Sequence, residues 1–347
     1  MNKTMKLLAV LLAAQLLLAL GLSFTGPDLS SRAGGAPLLT AEDESMADRL
    51  TIEGPDQSKT VLAKVDGSWR LPESGDFPAD GERINQMLHR LATLKPGQPV
   101  ATTEGALTRF KVSDKAFERR ITLATGDKTL ATIYLGDSPG MRQVHARRAD
   151  QKEVYSVQFS TFEAPAKSEG WEDKGILAVP LEHIKGIEVA GLKLDLPAQP
   201  SKNETGASPA KKENKQDAGK PATVWQATGL AAGESLSPQA AGRLADLLAG
   251  LRIGSLLGKE AKPDYGLDTP VLDLTLVRDD GQRVEYQLGK MKAGADYALK
   301  VSSRAEYFRL PEYAAKPLIE AAMRETLLGA KPGAIKPAAG STPEPKG

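Results

Sequence analysis

One arrangement occurs twice along this chain: a tryptophan, an amphipathic helix, a hairpin closing on Leu-Gly, then a second hairpin. That repetition constrains the fold more than any single motif. In the first copy, Ile52 and Val61–Val65 predict two strands, with a turn at Gly67-Ser68-Trp69 and a short third strand. Asp80 is placed to cap a helix whose apolar positions Ile84, Met87, Leu88 and Leu91 form one helical stripe. Ile121 and Leu123 then alternate, turn at Gly126-Asp127, and resume with Ile133 and Leu135 ahead of Gly136. In the second copy, Ile184–Val189 and Leu192–Leu196 predict the first strands, and Trp225 follows. Ser237-Pro238 opens a helix with the stripe Leu244, Leu247, Leu248 and Leu251. Leu272, Leu274 and Leu276 alternate, turn at Asp280-Gly281, and resume with Val284, Tyr286 and Leu288 ahead of Gly289. A further hairpin follows each: Val144–Arg148 with Val154–Val157, and Tyr297–Val301 with Tyr307–Leu310.

Period-2 strands bounded by turn residues imply antiparallel hairpins, and one amphipathic helix packed on each sheet gives an α+β domain. The expected fold is therefore two tandem α+β repeats after an N-terminal transmembrane helix. Each repeat is a mostly antiparallel sheet of hairpins with one main helix, repeat 1 over 48–183 and repeat 2 over 184–328. Residues 28–47 read as a tether. Residues 197–222 have almost no large apolar side chains to offset ordering entropy and read as a disordered insertion, loosening the relation between the repeats. Residues 329–347 read as a tail.

Within residues 1–27, Lys3 and Lys6 precede Leu7–Leu22, an apolar run broken only by Gln15. It is close to the roughly 20 residues a spanning helix needs and long for a cleaved signal, and no small-x-small site follows it. An uncleaved anchor is the leading reading, with a cleaved signal or a buried helix as alternatives. The lysines before the run put the N-terminus in the cytoplasm and the bulk of the chain outside it. With no cysteine in the chain, disulfides, thiolate metal sites and lipid-modified cysteine are excluded.

The run from Ala79-Asp80 through Leu91, then Pro99-Val100-Ala101, Phe110-Lys111-Val112, Phe117-Glu118-Arg119, Tyr134-Leu135-Gly136, His145-Ala146-Arg147 and Val154-Tyr155, resembles the bacterial domain-of-unknown-function family 4340. Asp264-Tyr265-Gly266-Leu267-Asp268-Thr269-Pro270 is similar to that family's recurrent Tyr-Gly-Leu element. The first copy departs from it, with Phe110-Lys111-Val112 in that place. The resemblance implies a membrane segment and genes lying beside those of an ABC-type permease, its ATPase and a gliding-motility-like auxiliary protein. It brings no established catalytic residue.

The chemistry-bearing motifs are sparse. The histidines His89, His145 and His183 lack metal-ligand spacing, and there is no nucleophile elbow, phosphate loop or dinucleotide fingerprint. A net charge of +1 supplies no field for gathering nucleic acid. Arg142, His145, Arg147 and Arg148 form the densest basic cluster. Strand alternation sends Arg142 and Arg148 to one face and His145 and Arg147 to the other, which suits a solvated edge or face better than an anion or partner contact. Trp69 and Trp225 read as core rings or, alternatively, as ligand-binding aromatics. The expectation is a non-enzymatic accessory or scaffold protein of the bacterial inner membrane, without cofactor, partnered by an ABC-type permease and auxiliary proteins. A periplasmic glycan- or peptide-binding module and an envelope hydrolase are the rivals.

Overall fold

The computed structural model describes residues 35–196 and 225–328, together with Gln15. The expected anchor Leu7–Leu22, insertion 197–222 and tail 329–347 lie outside these residues, Gln15 apart. Among the described residues no helix is long and apolar enough to cross a membrane. The chain divides into two units between Glu172 and Asp173. Both are α+β, built on largely antiparallel sheets with few helices.

The first unit holds helices α1 (Ala41–Met46), α2 (Gly81–Thr93) and α3 (Glu104–Arg109). Its strands are β1 (Arg49–Glu53), β2 (Lys59–Val65), β3 (Ser68–Leu71), β4 (Phe77–Pro78), β5 (Val112–Ser113), β6 (Ala116–Phe117), β7 (Arg119–Thr125), β8 (Lys128–Leu135), β9 (Val144–Arg148) and β10 (Tyr155–Val157). Eight of them form one sheet in the order β10-β9-β8-β7-β1-β2-β3-β4, and β5-β6 stand apart as a small arm. Asp80 caps α2 by accepting from Arg83 N, and Ile84, Met87, Leu88 and Leu91 are all buried. A 13-residue helix is marginal alone. Burying four such side chains contributes roughly 6–12 kcal/mol as an upper bound, so packing rather than propensity holds α2 in place.

The second unit holds β11 (Ile184–Val189), β12 (Leu192–Asp195), β13 (Gln226–Thr228), α4 (Pro238–Ala249), β14 (Ser255–Gly258), β15 (Leu272–Arg278), β16 (Arg283–Lys290), β17 (Tyr297–Val301), β18 (Tyr307–Leu310), α5 (Glu312–Ala322) and α6 (Arg324–Leu327). Its sheet runs β13-β12-β11-β15-β16-β17-β18-β14. Ser237 caps α4.

Read in opposite directions, the two orders share seven strands, from β3 to β10 and from β13 to β18. Register sharpens the correspondence. The core row Leu62–Leu50–Leu123–Ala131 matches Leu194–Ile187–Leu276–Val284. In that frame Ala63↔Arg70 corresponds to Asp195↔Gln226, so one residue further on Trp225 falls where Trp69 does. The bridge Ala101↔Val154 occupies the place of the β14–β18 pairing.

The correspondence extends to the loops. Gly136 follows Leu135 at the end of β8, and a Cβ there would fall 1.8 Å from Phe110 O. At Gly289 a Cβ would fall 2.4 Å from Tyr265 O. In each unit a distant loop closes its backbone onto this glycine. The Phe110-Lys111-Val112 departure is therefore one of residue type and not of path: Lys111 has φ +54° where Gly266 has φ +67°.

Three expectations need correction. Residues 35–47 are not a free tether: Leu38 and Leu39 are fully buried, and Thr40 and Asp43 form a capping box on α1. The insertion falls inside repeat 2 as expected, but its flanks Asp195 and Gln226 are paired neighbours within one sheet, so it is not a connection that loosens the relation between the repeats. The second unit has two substantial helices, not one: α5 packs on α4, burying Ala315, Leu318, Ala321 and Ala322. The buried α4 stripe is accordingly Ala241, Leu244, Ala245 and Leu248, with Leu247 only half-buried.

Gly136→Ala and Gly289→Ala are expected to cost roughly 1–3 kcal/mol or more by overpacking, whereas Gly97→Ala, with nothing within 4 Å of an added Cβ, stays near neutral. Lys111→Gly should be stabilising by a few tenths to about 1 kcal/mol through relief of its left-handed backbone. Urea-unfolding midpoints of the four variants check the set.

Candidate functional site

The basic cluster lies on and beside β9, which is an interior strand between β8 and β10. The solvated-edge expectation fails for that reason, and a solvated face fails for His145 and Arg147 because both are buried. Arg147 is buried and projects over the Tyr134 ring, with 4.8 Å from guanidinium to ring centre. Its Nε donates to Val112 O at 2.7 Å, and its Nη1 donates to Arg148 O, Ala149 O and Gln151 O at 3.3, 3.1 and 2.9 Å. A cation thus gathers the carbonyls of the turn between β9 and β10. Register places Lys300 at the matching position of β17. Its Nζ donates to Arg304 O, Ala305 O and Glu306 O at 2.5, 2.8 and 3.4 Å, and sits 4.7 Å from the Tyr307 ring centre. Burial lowers the Lys300 pKa, against the pull of Glu306.

Arg148 points the other way, to Asp43 at 2.9 Å and Asp150 at 3.0 Å. Burial raises the Asp43 carboxyl, but hydrogen bonds from Arg148 and Thr40 and the charge of Arg148 outweigh it, leaving its pKa below the ordinary value. His145 is buried, with Nδ1 2.7 Å from Asp137 and its ring 4.2 Å from that of Phe110. Arg142 lies outside β9, exposed on a turn with φ +55°, so strand alternation does not reach it. His89 is on α2, 3.5 Å from Glu44. His183 is exposed and paired with Asp279 at 2.6 Å, and that hydrogen bond raises its pKa.

Trp69 is 4% exposed and Trp225 6%. Trp69 Nε1 donates to Asn85 Oδ1 at 3.1 Å, and the ring lies close to Gly81 at the start of α2. The Trp225 ring lies correspondingly near Gly242 in α4. Both rings sit where sheet meets helix.

A row of polar side chains crosses the first sheet by register: Lys59, Glu53, Arg120, Tyr134, Arg147. Arg120 grips Glu53 with two bonds of 2.5 and 2.7 Å, which hold the Glu53 carboxyl below and the guanidinium above their ordinary pKa values. Tyr134 donates to Asp114, and burial first, then that bond, raises its phenol. Sequence reasoning gave neither Asp114 nor Tyr134 a site role; a register placing Tyr134 opposite Arg147 would have signalled Tyr134. Beside this row lies a groove of about 480 Å³ whose polar lining includes Asp114, Arg147, Asp150 and Gln151. Gln151 Oε1 is shielded from solvent and accepts no hydrogen bond. In the second unit, burial pushes the Tyr286 phenol up to about 12, so it stays a neutral hydroxyl at physiological pH. Among the described residues there is no cluster of His, Asp and Glu able to hold a metal ion. Arg142 apart, the charges here are paired with one another or with backbone, an arrangement suited to holding loops and presenting a polar surface.

Arg147→Met removes the donor from four carbonyls and is expected to cost roughly 1–3 kcal/mol, read as lost hydrogen-exchange protection across β9 and β10. Because the folded pKa of Asp43 is depressed, its contribution is complete above the unfolded carboxylate value and disappears as pH falls through the folded one. Asp43→Asn should therefore lose about 1–2 kcal/mol at pH 7, with the gap to wild type narrowing below about pH 4, as followed by urea denaturation across pH.

The family model described as Domain of unknown function (DUF4340) covers residues 69–270, more than half of the chain and parts of both units. No curated protein and no solved structure matches.

Proposed function

The chain belongs to the family of domain of unknown function DUF4340, and from that premise we propose a non-enzymatic accessory protein of the bacterial inner membrane. It is held by Leu7–Leu22 as a single-pass anchor with its N-terminus in the cytoplasm and presents two copies of one duplicated α+β module outside. Its partners are an ABC-type permease and that system's auxiliary proteins. The observation that carries this reading is where the candidate binding groups went. Trp69, Trp225, His145 and Arg147 are spent inside the two sheets, which leaves broad polar sheet faces as the surfaces on offer. On the second sheet Lys185, Lys193, Asp273, Arg283 and Glu285 stand exposed along alternate positions, charges of both signs of the kind that steer a partner and fix its register.

One observation favours the rival reading of a peptide- or glycan-binding module. The groove beside Arg147 gathers Asp114, Arg147, Asp150 and Gln151, polar groups of the kind that hold a polar ligand.

A photocrosslinker placed at Asp273 or Glu285 in the cells that make the protein is expected to capture a multispanning permease or its auxiliary protein from carbonate-washed membranes. Recovery of the chain in the soluble cytosolic fraction, or at the membrane with no protein adduct from either position, overturns the proposal.

A further inference from the structure

Two large apolar side chains stand almost wholly in solvent in the first unit: Met141 at 93% exposure and Phe162 at 85%. Isolated exposed apolar residues are ordinary; what sets these two apart is how they are held and where they lie. Met141 sits on a turn pinned by Ser138 Oγ, which is 2.7 Å from both Gly140 O and Gln143 O. Phe162 sits on a turn closed by the capping box of Ser160 and Glu163, and Glu163 is tied to Arg90 at 2.9 Å. Both side chains are thus presented outward on fixed backbone, so docking them costs little ordering.

Both flank the same end of one strand pair. Val144 opens β9 and pairs with Val157, which closes β10. Met141 precedes Val144 by three residues and Phe162 follows Val157 by five, so both lie within about 18 Å of that one pair. The same part of the unit receives the chain from the apolar N-terminal run. Gly35 N donates to Pro96 O at 2.8 Å, and Gly35 lies against the ring of Tyr155, the first residue of β10. Twelve residues separate Leu22 from Gly35, and their thirteen Cα steps reach no further than about 47 Å. An anchored chain therefore holds the first unit near the bilayer at high effective concentration, where even a weak surface affinity is realised.

We propose that the first unit rests on the outer surface of the bilayer through Met141 and Phe162, with the exposed Arg142 beside them meeting lipid phosphate. This rests on the anchored reading above. A thioether chain and a phenyl ring suit the boundary between headgroups and acyl chains, and an adjacent guanidinium suits anionic headgroups. Docking at this spot sets the orientation of the first unit and so decides which of its faces a membrane partner meets.

The chain has no cysteine, so Met141→Cys and Phe162→Cys each carry one environment-sensitive fluorophore. Val65→Cys serves as the control, on β2 at the far side of the same sheet. The full chain is reconstituted in vesicles of phosphatidylcholine and phosphatidylglycerol. The expected result is blue-shifted emission at 141 and 162, quenched by lipids spin-labelled near the headgroup, with an aqueous spectrum at 65. Adding Met141→Asp should abolish the shift at 162. If the chain fails to float with the vesicles, the anchored reading falls and takes this inference with it. If it floats and 141 and 162 report the same aqueous surroundings as 65, this inference alone is overturned. A shift seen only in native membranes and absent from pure lipid assigns the patch to a protein partner and likewise overturns it.

Discussion

In each unit the backbone of a sequence-distant loop closes onto one glycine at the end of a central strand, Gly136 or Gly289. The rest of the arrangement depends on that contact. No side chain fits between the loop carbonyl and the strand, so the loop approaches to a depth that only glycine allows. In the first unit this depth brings Val112 O within reach of Arg147, seats the β5–β6 arm beside the sheet, and shapes the groove lined by Asp114 and Gln151. In the second it positions Tyr265, whose ring packs 5.4 Å from that of Tyr307.

The basic residues illustrate how charge serves architecture here. Arg147 and Lys300 occupy matching positions and close matching turns, although one is a planar fork and the other a point charge. Neither relies on a single carboxylate. Several carbonyl dipoles share the charge, which avoids much of the desolvation cost of a buried ion pair. A cluster that looks like an anion site along the chain is dissolved by this arrangement into separate structural tasks, leaving Arg142 exposed.

What was legible in the sequence follows from the range of the interactions involved. The α2 stripe at Ile84, Met87, Leu88 and Leu91, the Asp80 and Ser237 caps, and the hairpins on either side of Gly126 and Gly281 are written in local periodicity and turn chemistry, and they stand where expected. Sheet order is not local. Pairing β1 with β7, or Ala101 with Val154, joins residues far apart in sequence through backbone groups that every residue possesses. The burial of Arg147 was hidden for the same reason, since its acceptors are carbonyls and carry no side-chain signature. The α1 segment escaped because Gly, Pro, Ser and Ala around it resemble a linker, while Leu38, Leu39 and the Thr40–Asp43 box carry the order. The α4 stripe shifted from Leu247 to Ala241 and Ala245 because α5 packs alongside, and close helix packing favours small residues.

The long connection between β12 and β13 has a consequence for how this protein can change. Thirty residues separate Asp195 from Gln226, where the equivalent pair Ala63 and Arg70 is separated by six. Lengthening a connection whose ends stay in register adds only roughly 1–2 kcal/mol of closure entropy, and the ladder on either side is untouched. This point of the second sheet is therefore a port at which lineages, or an experimenter, can splice in a reporter, an affinity handle or a whole foreign domain while the surrounding scaffold goes on folding as before.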